Sequence, residues 1–181
     1  MTAQEKKIAE NTLNILQNNS WGSLSLEQAL KNNKNKKVDI QSKFDLLKII
    51  NSYVDDELIK KTRYIENSSI KDMLFEVIMA RFDILELNRK SFIEIYKCLK
   101  KNPKYFIKLL PSFLESMIIT AELSNFNVNG LKGSIRLKGL VFVYFMTFFQ
   151  WKEDNNSSLE KTMTALDKNL DHAEKLGKLV S

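Results

Sequence analysis

The sequence has little of what disulfide-bonded, metal-binding and enzymatic proteins need. It contains one cysteine, Cys98, and one histidine, His172, with only five glycines and two prolines. A single thiol excludes an internal disulfide and is typical of a reducing compartment, and one Cys with one His cannot form a zinc site. Cys98 lies among apolar residues, which favours an inert buried thiol. His172 has the register of a solvated surface side chain.

Glycine-rich phosphate loops and paired catalytic groups are also missing from the sequence. Gly130, Gly133 and Gly139 have the wrong spacing for a phosphate loop, and the adjacent acids Asp55 and Asp56 would not face each other on a helix. We therefore expect no enzymatic activity, no metal and no cofactor. The scarcity of Gly and Pro argues against an all-β fold, which needs many tight turns.

Neither a secretory signal nor a membrane-spanning segment is evident. The first residues, Met1 to Asn11, are too polar for a signal peptide. The most apolar run, Leu137 to Trp151, is shorter than the roughly 18–20 residues that cross a bilayer. These features predict a cytoplasmic protein.

The same apolar run, LKGLVFVYFMTFFQW, is the most informative stretch that is present. Its apolar residues point in nearly every direction of a helical wheel, and such a helix must be covered on more than one side. We expect Leu137 to Trp151 to form the central buried helix of a bundle, sealed by neighbouring helices and by a second copy of the chain.

Signals for helix starts recur along the chain. They are Ser25 with Gln28, Ser42 with Asp45, Ser69 with Asp72, Ser157 with Glu160, and Asn102-Pro103. Each places a capping side chain just before a run with apolar residues at three- and four-residue steps. With no convincing strand, the pattern predicts an all-α fold of about nine helices. Pro111, inside an apolar run, predicts a kink or split in its helix.

A net charge of +6 favours an acidic partner, either nucleic acid or a lipid headgroup surface. The chain is rich in Lys, Asn and Ile and poor in Arg, as AT-rich coding sequence would produce. Part of the lysine excess therefore carries no functional information.

Several segments resemble the tetracycline-repressor (TetR) family. ILQNNSWGSLSLEQAL, Ile15 to Leu30, resembles the turn and second helix of that family's head, and SKFDLL, Ser42 to Leu47, resembles the opening of its linking helix. MARFDIL (Met79 to Leu85), LKGLVFVYF (Leu137 to Phe145) and the segment Trp151 to Glu174 resemble a bacterial branch similar to the Coq-nine lipid-binding family of ubiquinone biosynthesis. The resemblance implies a helix-turn-helix head over residues 1–48 and a ligand-binding and dimerisation body over residues 49–181.

The expected recognition helix is where the chain departs from TetR proteins. Asn33 to Gln41 lacks the family's turn glycine and aromatic residues and is shorter by two or three positions. Lysines there would contact phosphates without reading sequence. The candidate DNA-binding residues are Lys34, Lys36, Lys37, Gln41 and Lys43. The alternative is a solvated basic loop on a head that has lost DNA binding.

Two functions follow from the resemblance. The first is a ligand-responsive, homodimeric transcription regulator with an apolar ligand in its body. The candidate pocket residues are Phe82, Phe113, Met117, Phe126, Tyr144 and Phe145, with ordinary core packing as the alternative. The candidate dimer-interface residues are Leu140, Tyr144, Phe148, Trp151, Met163, Leu166 and Leu170.

The second function is a Coq-nine-like accessory protein of ubiquinone biosynthesis that binds an isoprenoid or phospholipid and no longer binds DNA. The last helix has one apolar stripe, with Lys161, Lys168 and Lys175 elsewhere on its surface. That pattern fits peripheral membrane contact. Acidic residues on the same helix favour packing against the bundle or a partner instead.

Overall fold

A computed structural model describes residues 1–31, 40–66 and 68–180 of the chain. Over these ranges the protein is all-α and contains no strand, which confirms the predicted class. Eight helices are described: α1 (Ala3–Leu16), α2 (Leu26–Leu30), α3 (Lys43–Lys61), α4 (Ile70–Leu87), α5 (Arg89–Lys101), α6 (Pro103–Leu123), α7 (Gly130–Glu153) and α8 (Glu160–Val180).

Helices α1 and α2 begin where short polar side chains accept hydrogen bonds from free backbone N–H groups. The Ser25 hydroxyl accepts from the Gln28 N–H while the Gln28 side chain accepts from the Ser25 N–H, so the predicted capping box of α2 is confirmed. Thr2 and Glu5 form the same box at α1. Proline starts α6 at Pro103, as predicted, because its missing N–H would have no partner in the first turn.

Pro111 lies inside α6, which nevertheless continues from Pro103 to Leu123. A proline at an interior position removes one backbone hydrogen bond of the helix. The helix is therefore not split at Pro111, and the predicted alternative, a kink, stays a prediction.

Two compact units make up the chain. Unit 1 consists of Met1–Glu57 and Ile84–Phe113, and unit 2 consists of Leu58–Asp83 and Leu114–Ser181. The sequence-based division after residue 48, into a head and a body, stays a prediction.

In unit 1, α1 packs against α2 and α5. Ile8, Leu13 and Leu16 of α1 are almost completely buried, as expected for its apolar side. The buried hydroxyl of Ser91, on α5, donates to the Leu13 carbonyl at 2.6 Å. This bond gives a polar group in the core a partner, which an apolar environment requires.

In unit 2, α7 packs along α8. Trp151 and Leu166 are fully buried between them and their neighbours, and Phe82 of α4 stacks on Tyr144 of α7 with ring centroids 5.3 Å apart. The core of this unit is thus built around the apolar run that was predicted to be central.

The central helix, α7, extends from Gly130 to Glu153 and so contains the predicted run Leu137 to Trp151. One of its faces is exposed in the single chain. The exposed residues, at steps of four, seven, four and three, are Leu131, Ile135, Phe142, Met146 and Phe149. We call this set the apolar stripe. Helices of the same chain therefore cover only part of α7, and coverage by a second copy stays a prediction.

Candidate functional site

The predicted DNA-binding head is held together by side chain to backbone hydrogen bonds. The amide of Asn11, on α1, donates to the carbonyls of Gln28 and Ala29 at 2.9 and 2.8 Å, and so attaches α2 to α1. Trp21, in the turn between them, is buried. These contacts fix the position at which the chain leaves α2 toward α3.

Three of the five predicted DNA-binding residues, Lys34, Lys36 and Lys37, lie outside the described residues. Gln41 is exposed, and its backbone N–H donates to the Asp45 carboxylate at 3.2 Å. The ammonium of Lys43 donates to the Trp21 carbonyl at 2.6 Å and lies 5.7 Å from the centre of the Trp21 ring. Lys43 therefore ties α3 to the turn after α1, a role that its position in the sequence did not reveal.

Asp45 organises the start of α3, directly after the predicted recognition segment. Burial raises the pKa of Asp45, but hydrogen bonds from the Ser42 hydroxyl, the Ser42 and Gln41 N–H groups and the charge of Lys48 outweigh it, so its pKa is lower than usual. The carboxylate is thus charged at neutral pH and stabilises the positive end of the helix.

The predicted pocket residues fall in both units. Phe113 belongs to unit 1 and is half-buried. In unit 2, Met117 is fully buried, Phe126 is half-buried, and the ring centroids of Tyr144 and Phe145 lie 6.2 Å apart. The aromatic contacts continue from Phe82 to Trp151 at 6.2 Å. This continuity is what well-packed core aromatics show.

Sequence analysis missed a charged residue beside these rings. Arg81, on α4, is only 2% exposed, and its guanidinium carbon lies 5.8 Å from the centre of the Tyr144 ring. Buried arginines are rare because the charge must be compensated. No spacing rule distinguishes a buried arginine from an exposed one in the segment MARFDIL.

The predicted interface residues divide by exposure. Leu140, Tyr144, Trp151, Leu166 and Leu170 are buried within the single chain, Phe148 is half-buried, and Met163 is 41% exposed. Buried side chains leave little area for a second copy to cover. The apolar stripe and Met163 expose apolar area in the single chain, and contact of a second copy with this area stays a prediction.

The loop after α7 positions α8. Asp154 is buried and accepts from the N–H and the hydroxyl of Thr162, both at 2.9 Å, and from the Asn156 N–H at 3.2 Å. Burial raises the pKa of Asp154, yet these hydrogen bonds and the charge of Lys161 lower it further than burial raises it. The carboxylate therefore stays ionised and caps the first turn of α8.

Cys98 is buried, as expected, and burial raises the pKa of its thiol despite the Asn102 amide and Lys43 nearby. His172 is exposed. In the described parts of the chain, no three residues among His, Cys, Asp and Glu are grouped as metal ligands. Among the same residues, no helix is long and apolar enough to cross a membrane.

Comparison with known proteins assigns no family. No protein-family model matches the chain, and no curated protein matches it.

Proposed function

We propose that the chain is a TetR-like transcription regulator that acts as a homodimer, with its DNA-binding head in unit 1. The observation that supports this best is the packing of α1, α2 and the start of α3. Asn11 and Lys43 hold these elements together, and the segment between α2 and α3 carries four lysines, Lys31, Lys34, Lys36 and Lys37. A recognition segment needs such a rigid support to contact DNA in a fixed orientation.

Charge supports the same assignment. Residues 1–48 contain eight lysines against five acidic residues, a net charge of +3. Lys34, Lys36 and Lys37 would neutralise backbone phosphates and release counterions, so binding should weaken steeply with salt. Since the segment is two or three positions shorter than the recognition helix of TetR proteins, we expect sequence preference to be modest.

A second copy of the chain is the proposed partner of the apolar stripe. Phe142, Met146 and Phe149 expose large apolar side chains on one face of α7. A contiguous exposed apolar patch of this kind marks an interaction surface. A two-fold axis beside α7 and α8 would pair each stripe with its own copy.

A mobility-shift experiment tests DNA binding. The full chain is mixed with genomic DNA fragments from around its own gene at about 50 mM salt, then at rising salt. We expect a shift at low salt that disappears near physiological salt. The affinity for DNA should be at least about tenfold lower for Lys34→Gln/Lys36→Gln/Lys37→Gln. The matched control, Lys161→Gln/Lys168→Gln/Lys175→Gln, has the same net charge and should bind like the unmodified chain. No shift at low salt, or equal losses in both variants, would refute the proposal.

The second candidate function is that of a Coq-nine-like lipid-binding accessory protein, and the aromatic cluster of unit 2 favours it. The rings of Phe82, Tyr144, Phe145 and Trp151 form a continuous apolar environment of the kind that surrounds an isoprenoid or acyl tail. Mass spectrometry of lipid extracted from the purified protein tests this function. A stoichiometric isoprenoid or phospholipid would support it, and protein free of lipid after mild purification would refute it.

A further inference from the structure

Five lysines surround the junction of α5 and α6 in unit 1. They are Lys97, Lys100, Lys101, Lys104 and Lys108, and all are exposed. No acidic residue occurs between Glu94 and Glu115 in the sequence. Among the described residues, only Lys97 of this group forms a salt bridge, with Glu94 at 2.6 Å. The junction is therefore a surface of largely uncompensated positive charge.

The start of α3 adds a sixth lysine. Lys48 and Lys108 both lie over the ring of Phe44, with their ammonium nitrogens 5.1 and 6.0 Å from its centre. The Phe44 and Tyr105 rings are 6.0 Å apart. The Phe44 ring therefore lies next to both Lys48 and Lys108. We call Lys48 and the five lysines of the α5–α6 junction the lysine surface.

Two exposed apolar side chains lie next to these lysines in the sequence of α6. Ile107, on α6, is 66% exposed and lies within one turn of Lys104 and Lys108, and Phe106 is also exposed. Pro111 follows one turn later and is exposed as well. An exposed isoleucine between lysines is unfavourable in water, and it suits a neighbour that is both anionic and apolar.

We propose that the lysine surface binds the surface of an anionic lipid bilayer. Clustered lysines are attracted to anionic headgroups, while Ile107 and Phe106 enter the boundary between headgroups and acyl chains. The proposal does not rest on DNA binding by the head or on a lipid inside unit 2.

Other occupants fit these observations less well. Single-stranded nucleic acid would stack its bases on exposed aromatic rings. The ammonium groups of Lys48 and Lys108 already lie over the Phe44 ring. A DNA backbone offers phosphates and no apolar partner for Ile107. A second lysine surface from another copy would repel this one, because both are positive.

Vesicle flotation with the full-length chain tests the proposal without DNA present. One set of vesicles is phosphatidylcholine alone, and the other contains about 30% phosphatidylglycerol. We expect binding only to the anionic vesicles. The variant Lys100→Gln/Lys101→Gln/Lys104→Gln/Lys108→Gln should bind at least about tenfold more weakly, since each lysine contributes separately.

A matched control separates the lysine surface from overall charge. Lys60→Gln/Lys161→Gln/Lys168→Gln/Lys175→Gln changes four exposed lysines of unit 2 and has the same net charge as the first variant. It should bind vesicles like the unmodified chain. Ile107→Ser should weaken binding about threefold to tenfold and leave the slope of the salt dependence unchanged, because it removes buried apolar area but no charge.

Three results would overturn the proposal. They are equal binding to neutral and anionic vesicles, equal losses for the two lysine variants, and binding of DNA but not of vesicles through Lys100 to Lys108. Circular dichroism of each variant shows whether it keeps the helical content of the unmodified chain. Because Ile107→Ser leaves every lysine in place, its effect stays informative if a fourfold variant fails to fold.

Discussion

Unit 1 exposes a positively charged surface, whereas unit 2 exposes an apolar one. By sequence, unit 1 has 15 Lys and Arg against 10 Asp and Glu, a net charge of +5, whereas unit 2 has 13 against 12, a net charge of +1. Unit 1 presents the lysine surface, and unit 2 presents the apolar stripe. The positive charge of the chain is thus concentrated rather than spread, and each unit suits a different neighbour: an anionic one for unit 1, an apolar one for unit 2.

The largest expected effect comes from charging the apolar stripe. Phe142→Glu/Phe149→Glu would place four carboxylates at the proposed two-fold interface, two from each copy, and each lost aromatic anchor costs about 2 kcal/mol or more. We expect the dimer dissociation constant to rise at least about 100-fold. Sedimentation velocity over a range of concentrations measures it.

The control for the stripe variant is Ser68→Glu, at an exposed position of unit 2 outside every helix. It adds a carboxylate of the same kind and should leave the dissociation constant unchanged. The fourfold lysine-surface variant should also remain dimeric. If removing those lysines dissociated the protein as strongly as charging the stripe, the division of roles between the units would be wrong.

Asp154→Asn should destabilise unit 2 by about 1–3 kcal/mol, because the carboxylate accepts three hydrogen bonds in a buried position. The pKa of Asp154 is lowered in the folded chain. The ionised carboxylate therefore stabilises the fold fully when the pH is above the ordinary Asp pKa of about 3.9. This stabilisation is lost as the pH falls through the pKa of the folded chain. Chemical denaturation at pH 7 and near pH 3 measures the free energy of unfolding of the unmodified chain and of Asp154→Asn. The difference between the two proteins should shrink at low pH. A difference that does not depend on pH would contradict this role of the Asp154 carboxylate.

Two glycines of α7 give a smaller, matched comparison. A Cβ at Gly133 would lie 2.1 Å from the backbone carbon of Val128, whereas a Cβ at Gly139 meets nothing within 4 Å. Gly133→Ala must move the backbone before α7 and should lower the melting temperature. Gly139→Ala should raise stability by about 0.5–1 kcal/mol, because Ala favours helix. Thermal unfolding followed by circular dichroism compares the two variants, and a gain in stability from both would contradict the close approach of Gly133 to Val128.

The smallest effects are expected at exposed ion pairs. Lys6 and Glu57 of unit 1 are 2.7 Å apart, and Lys61 and Asp83 of unit 2 are 2.6 Å apart and more exposed. Lys6→Met and Lys61→Met should each cost less than about 1 kcal/mol, with the smaller loss at Lys61. Urea unfolding at low and high salt measures the loss of stability in each variant, and salt should reduce both losses. A larger loss for Lys61→Met than for Lys6→Met would contradict the prediction.

Local patterns predicted the fold class and several helix starts, because a capping box or an Asn-Pro pair acts within four residues. They failed where residues farther apart in the sequence form the contact that starts a helix or buries a side chain. Ser157 with Glu160 was predicted to cap the last helix, but Asp154 binds the Thr162 N–H, eight residues away. No sequence spacing could show that Arg81 is buried or that Phe44 gathers Lys48 and Lys108.

The molar mass of the unmodified chain at micromolar concentration tests the central claim, that the apolar stripe is covered by a second copy. Sedimentation equilibrium should give twice the chain mass of 21.1 kDa. A mass of one chain at every concentration would contradict the claim and leave Phe142, Met146 and Phe149 without the proposed partner.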